Sequence, residues 1–450
     1  MKLPLRMLLW LIATTLALPA MAGAQNYSPP PEDQAWLAAT AQQSGTIPPG
    51  TTITTQNWRQ YEQFMPHGMI GLFEGKYFWK MPSDVQLDVG PTVLLPLPKG
   101  YVAATEQYGN QVRVVHQPGG HMDVAGYVAG RPFPNPQAPD RGYKILSNVW
   151  FTYLPHLYNN TPENTAKTCT QDRFGNTACL TVDFVYRQVA YNTDPGVPGE
   201  EKGIGDAWYT EWLMVETPEQ SRYTAQLIVF PKSNQKDQDS YVFVPALRRS
   251  LRLATSARCA PVLGTDYVQD DYNTKGFNGG LGIFDAKYLG QRKVLAFLDD
   301  YKNVTGRYPE GWAMPLGFPK PAWGKWQVRA VDIIDVRRIP SEAAGYCYGS
   351  RILYVDRHNF YTTWTELYDS NMRLWKTGFL SPHAVTVPQV GHVTTNSVVA
   401  AVWDIQNDHS TIFSSIDAAG HDVFFNQQAP AQYHNLSRYS TPGGLMQIMQ

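Results

Sequence analysis

From Leu180 to Asn435 the chain alternates apolar and polar residues in short runs broken by turn-forming residues, and this periodicity limits the fold more than any other feature. LTVDFVYRQVAY puts Leu180, Val182, Phe184 and Tyr186 on one face; WYTEWLMVE does the same with Trp208, Trp212 and Met214. In RYTAQLIVF the shared face is Tyr223, Ala225, Leu227 and Val229. KWQVRAVDIIDVRRI, SRILYVDRHNFYTTWTELYDSNMRLWKTGFL and SVVAAVWDIQNDHSTIFSSID read as hairpins, with Asp356–Asn359 and Asp369–Asn371 as turn residues. FDAKYLGQRKVLAFLDDYKN fits a helix or a strand pair equally well. Sequential strands joined by tight turns build an antiparallel meander. Roughly eight or more strands cannot stay flat and half-covered, so the sheet must curl, close or be packed over. The expectation is mainly β: a strongly curved antiparallel half-barrel with a few helices on its open side, a two-sheet sandwich being the alternative.

The N-terminus, MKLPLRMLLWLIATTLALPAMAGA, has Lys2 and Arg6, an apolar run from Leu8 to Leu18 and small residues at Ala20–Ala24. That is the pattern of a cleaved signal peptide over 1–24, too short to span a bilayer. No later run is long enough to cross one, so no transmembrane segment is expected in the mature chain. Residues 25–100 are expected to form a helical and irregular wrap on the sheet, and 101–450 the half-barrel with long loops. Within the wrap, PEDQAWLAATAQQSG reads as a helix between Pro31 and Gly45, and QNWRQYEQFM as a helical turn stopped by Pro66. Asn110–His116 alternates as a strand. Gly119–Asn148 is rich in proline and glycine and is expected to be an irregular loop.

The aromatic content is high (13 Trp, 26 Tyr, 18 Phe) and only 17% of residues are charged, which leans towards sheet. A net charge of −1 excludes a nucleic-acid-binding face. Four cysteines fit an oxidising compartment. Cys169 and Cys179 bracket a Gly-Asn turn and are expected to pair; Cys259 and Cys347 then pair by elimination. No CxxC spacing points to zinc.

Chemically, Tyr241–Asn278 is the richest stretch. Read as one strand, Tyr241, Phe243, Leu247, Leu251 and Leu253 share a parity and Arg249 shares it too, which turns its guanidinium inward. Arg248, Arg249 and Arg252 then either bind an anionic head group or pair with Asp266, Asp270 or Asp271. Calcium on those aspartates, with Asn273, fails the EF-hand spacing. A glycosidase pair at Asp270 and Asp271 lacks a second acid across a cleft. His116, His121 and Asp123 are too loosely spaced for a metal motif, so neither metal nor cofactor is expected. Trp208, Trp212, Tyr223, Trp326, Trp364 and Trp375 are expected as core that doubles as the wall of a concave pocket.

Several stretches resemble the bacterial domain-of-unknown-function family number 1329, often labelled outer-membrane lipoprotein-sorting-protein-like. They are Tyr127–Pro134 (YVAGRPFP) with Gly142, Lys144 and Asn148, then Tyr241–Arg252 (YVFVPALRRSLR). Gly264-Thr265-Asp266 with Asp270, Asp271 and Phe277, Arg351–Asp356, and Tyr368-Asp369 follow in order. The resemblance implies a fold similar to the LolA and LolB lipoprotein carriers and a periplasmic location. It also implies service beside an RND/MMPL-type exporter and an outer-membrane protein, and it supplies no catalytic residues. The expected function is a carrier or adaptor that binds a lipid or other hydrophobic molecule in the curved sheet. Expected ligand contacts are Arg248, Arg249, Arg252, Tyr241, Phe243, Trp208, Trp212, Tyr223, Asp266, Asp270 and Asp271, with Tyr127, Arg131 and Phe133 as a gate. An envelope lipid or glycan hydrolase using Asp270 or Asp271, or a lipoprotein-sensing regulator, is the alternative. Absence of a catalytic motif favours a non-enzyme without deciding it.

Overall fold

The alternating runs pair into one 15-stranded antiparallel sheet. The computed structural model describes residues 28–162, 165–254, 258–271, 276–299, 308–414 and 423–449; the expected signal peptide and Asn273 lie outside them. The main strands are β1 (Ala166–Gln171), β2 (Thr177–Gln188), β3 (Ala207–Thr217), β4 (Ala225–Pro231), β5 (Asp239–Val244), β6 (Arg249–Arg252) and β7 (Phe284–Asp299). They continue with β8 (Gly324–Arg338), β9 (Ser350–Asp356), β10 (Thr362–Tyr368), β11 (Leu374–Val387), β12 (Gly391–Asp404) and β13 (His409–Ser414). Across the sheet the order is 6-5-4-3-2-1-13-12-11-10-9-8-7. The chain therefore starts at the middle, meanders out to one edge, jumps to the other, and meanders back until β13 pairs with β1. That jump, residues 253–283, is the single long crossover in the main sheet.

Curvature follows from what one helix touches. Helix α4 (Arg141–Trp150) and the phenylalanine after it join a buried cluster with Trp208, Tyr209, Ile228 and Phe230 of β3 and β4, and with Ile334, Val336, Leu353 and Val355 of β8 and β9. In a flat sheet β3 and β9 would lie about 34 Å apart, at roughly 4.8 Å per strand step. A helix is only about 10–12 Å across. The sheet must curl around α4, and it does so without closing into a barrel. Close approach is made possible by Gly142, since a Cβ there would sit 2.1 Å from the Ala286 carbonyl oxygen on β7.

Both faces of the sheet are covered. Consecutive residues Ile352 and Leu353, or Ile333 and Ile334, belong to different clusters on opposite sides. On the outer face, helix α1 (Pro31–Ala39), Met65, α2 (His67–Glu74) and residues 312–323 bring Trp36, Met65, Met69, Trp312 and Trp323 against Trp326, Trp364, Phe379 and Trp403. Further along that face, Ala429, Tyr433, Tyr439 and Leu445 of the C-terminal tail cover Val185, Trp212, Leu227 and Phe243. Helix α3 (Lys99–Tyr108) packs at one end, its Tyr101 hydroxyl donating to the Phe151 carbonyl at 3.0 Å.

Several sequence readings change here. The expected irregular loop over 119–148 contains a strand, Met122–Ala125, and the start of α4. KWQVRAVDIIDVRRI is one strand of the sheet rather than a hairpin, and the ambiguous 284–299 stretch is its partner β7. Tyr241–Leu253 is not one strand: Pro245–Leu247 turns, Arg248 takes φ 48°, and β5 folds back on β6 with Val244 opposite Arg249. Pro245 lacks the N–H that a continuing ladder needs, which is why the run breaks there. Both expected disulfides, Cys169–Cys179 and Cys259–Cys347, form.

Candidate functional site

The crossover brings the acidic loop across the inner face, where every one of its three aspartates meets a partner from the sheet. Asp270 is fully buried; it accepts from Arg258 Nε at 2.8 Å and the Tyr346 hydroxyl at 2.7 Å, with Arg338 at 3.6 Å. Asp271 accepts from the Tyr348 hydroxyl and from Arg351 Nη2 at 3.2 Å, and the same Nη2 donates to the Asp270 carbonyl at 2.7 Å. Asp266 accepts from Thr411 Oγ1 at 2.7 Å and lies 2.8 Å from His409 Nδ1, both on β13. Lys376 of β11 donates to the Asp266 carbonyl at 2.5 Å. The Cys259–Cys347 disulfide fastens the same segment to the loop before β9.

These charges are arranged to hold, not to react. Burial raises the Asp271 pKa above the ordinary carboxylate value, with Arg351 and Lys376 pulling the other way. Burial works against the Arg351 charge, but Tyr346, Asp271 and Asp270 outweigh it and keep its pKa above normal. His409 is raised by its hydrogen bond to Asp266. Beside Arg351 the cavity bounded by Asp271, Thr365, Leu367 and Gly378 is about 20 Å³, room for about one water and not for a ligand.

The arginines expected to serve these aspartates do not. Arg248 and Arg249 are exposed on the β5–β6 edge hairpin, because the turn at Pro245 resets the parity that pointed Arg249 inward. Arg252 is bound to Asp239 in an open groove of about 460 Å³. Arg258, Arg338 and Arg351 take the roles instead. All three lay in stretches read from the sequence, Arg258 within Tyr241–Asn278, Arg338 within KWQVRAVDIIDVRRI and Arg351 within SRILYVD, but nothing in those stretches marks their partners. Any buried arginine satisfies a carboxylate equally well, so only the fold selects which.

The expected aromatic wall divides between the two faces. A bulge between Ala207 and Tyr209 sends Trp208 inward, while Trp212 lies on the outer face against Tyr439 with ring centroids 5.0 Å apart. Trp326 and Trp364 are also outer-face residues. Tyr241 and Phe243 face the C-terminal tail. Tyr223 precedes β4 in a turn at φ 66° and is not on the strand. On the inner face Trp150, Phe151, Trp208 and Tyr191 form a nest of rings. Tyr127 of the expected gate packs on it, 4.0 Å from Phe151 and 4.9 Å from Tyr191. Arg131 bonds Thr105 and the His358 carbonyl, and Phe133 exchanges hydrogen bonds with Asn148 on α4.

The expected gate and the segments joined to it carry exposed apolar side chains. Val102 of α3 is 38% exposed, Val128 of the gate 43%, Val93 40% and Leu94 80%. The pieces are tied together: Arg131 reaches His358, His358 reaches the Leu95 carbonyl, and Gly130 abuts Thr105 on α3. Along the part of the inner face that carries Trp150, Phe151 and Trp208, the described residues pack ring against ring. Among the described residues, no helix is long and apolar enough to cross a membrane.

Comparison with known proteins adds the following. Residues 52–445 match the model of a family described as "Protein of unknown function (DUF1329)". Among solved structures, a DUF1329 family protein from Desulfovibrio piger covers 67% of this chain and all of its own (100%), at 14% identity and TM-score 0.44. A protein described as an outer membrane lipoprotein-sorting domain, from Vibrio parahaemolyticus, covers 67% here and 99% of itself at 12% identity and TM-score 0.44. A LolA superfamily protein from Nitrosomonas europaea covers 65% and 96%, at 12% identity and TM-score 0.36. The sequence matches no curated protein.

Proposed function

We propose, from the premise that the chain belongs to the DUF1329 family, that it is a non-enzymatic carrier or adaptor of the cell envelope. Its guest is a lipid or other hydrophobic molecule taken up at the gated end of the curved sheet. The observation that supports this reading is the exposure of Val93, Leu94, Val102 and Val128 on segments that Arg131, His358 and Gly130 tie to the loop carrying Tyr127 of the aromatic nest. A guest enters when the 127–133 loop lifts, and acyl chain then replaces ring against ring. Each buried methylene contributes about 0.8 kcal/mol, so a chain of about ten carbons outweighs the few hydrogen bonds that seat the loop. Two disulfides suit the oxidising periplasm, reached through the expected signal peptide. An RND/MMPL-type exporter and an outer-membrane protein complete the proposed setting. The edge arginines take no part in this route, since they lie exposed on the β5–β6 hairpin. Asp270 and Asp271, engaged on every side by cations and tyrosines, give the hydrolase reading no support.

Native mass spectrometry of protein purified from periplasm tests the proposal: a bound species of lipid mass is expected. A fluorescent fatty-acyl probe should bind saturably and lose roughly tenfold affinity when Leu94 and Val128 are both changed to serine, about 1.4 kcal/mol. No co-purified lipid together with no saturable probe binding would end the carrier reading.

A further inference from the structure

On the outer face, far from the gate, Asp33 of α1, His67 at the start of α2 and Glu366 of β10 each bring one donor atom within 4.8 Å of the others. Such a group has to be explained. Asp33 and Glu366 are 2% and 0% exposed, and two carboxylates side by side in an apolar layer repel each other. Neither is paired with a lysine or arginine among the described residues. Two buried polar atoms at this place, Asp33 Oδ2 and His67 Nδ1, also lack a hydrogen-bond partner, and the hydroxyl of Tyr368, a residue that is itself 0% exposed, faces Asp33.

We infer that Asp33, His67 and Glu366 form a binding site for a divalent cation, with zinc the ion that best fits one imidazole and two carboxylates. The surroundings are those of a ligand set already oriented. Glu366 accepts from the Gly68 N–H at 2.6 Å and from the Tyr354 hydroxyl at 3.1 Å. His67 Nε2 lies 3.3 Å from the Glu32 carboxylate, which fixes the ring and leaves Nδ1 for the ion. Tetrahedral zinc at about 2.0–2.1 Å from each donor needs donor separations of about 3.4 Å, which rotamer adjustment from the observed spacing supplies. A divalent cation displaces the protons of its ligands as it binds, and its charge then offsets that of the two carboxylates. The Tyr368 hydroxyl then has a fourth-position water to bond. Such an ion staples α1 and α2 to β10 and so joins the N-terminal wrap to the sheet.

The test is titration of full-length protein, stripped with EDTA and dialysed, with Zn²⁺ by calorimetry and with Co²⁺ by visible absorption. One ion per chain is expected, with the Co²⁺ bands abolished by one equivalent of Zn²⁺. His67→Gln and Glu366→Gln should each weaken binding by roughly tenfold or more, and Glu32→Gln, which leaves the buried group intact, by a smaller factor. If the wild-type protein takes up neither ion, or if folded His67→Gln binds as wild type does, the assignment is overturned. Should His67→Gln fail to fold, Glu32→Gln decides: unchanged affinity there also overturns it. Failure here leaves the carrier proposal untouched, because the gate lies on the other face.

Discussion

Changing Arg351 to methionine removes the only cation that reaches Asp271 directly among the described residues. Arg351 is 1% exposed and spends Nη2 on both the Asp271 carboxylate and the Asp270 carbonyl. Its loss strands a carboxylate that keeps the Tyr348 hydroxyl and the Val268 N–H but has only the Lys376 charge, which does not contact it, to balance it. Breaking a buried pair from one side costs about 3–5 kcal/mol. Changing Asp271 to asparagine as well removes the stranded charge, so the double variant should recover to within about 1–2 kcal/mol of wild type. The acid limit gives an independent signature. Burial already raises the folded pKa of Asp271, and loss of Arg351 raises it further. A raised carboxylate favours folding below its unfolded pKa of about 3.9 and penalises it as pH climbs through the folded value. The single variant's defect should therefore be full at pH 7 and shrink towards pH 4. Urea unfolding followed by tryptophan fluorescence at both pH values measures this. If the two single-site losses simply add in the double variant, the pair does not couple and the crossover is held by something else.

Three further outcomes follow from the same structure. Because Asp266 raises the His409 pKa, that contact stabilises fully below pH 6.5 and is lost as pH rises through the raised value; His409→Gln should erase the difference between melting temperatures at pH 6 and pH 8.5. Removing Cys259–Cys347, with a sequence separation of 88, should cost about 4–5 kcal/mol in the chain-entropy picture, against about 2–3 for Cys169–Cys179 with a separation of 10. Paired serine variants compared by urea midpoint test this, and equal losses would contradict it. Gly142→Ala places a methyl on the Ala286 carbonyl and should push α4 off β7 at a cost of roughly 1–3 kcal/mol, read as weaker hydrogen-exchange protection of α4.

Much of the scaffold could be read directly from residue order. Alternation from Leu180 onward is a local property of each strand, and Asp356–Asn359 and Asp369–Asn371 are local turns, so the hairpins β9–β10 and β10–β11 came out as expected. The Cys169–Cys179 bridge crosses one such turn. Local reasoning failed where a single residue shifts phase. The bulge at Trp208 and the αL turn at Arg248 each move every following side chain to the other face, because strand periodicity is two and keeps no memory of an inserted residue.

The sequence alone determined that this chain makes an antiparallel meander and which cysteines pair, since backbone period and cysteine spacing are written residue by residue. Tertiary structure alone decided which arginine answers Asp271, which tryptophans face inward, and that Asp33, His67 and Glu366 meet. Charge and coordination depend on distances of a few ångströms, and residues hundreds of positions apart acquire such distances only when the sheet has curled and the wrap has closed over it.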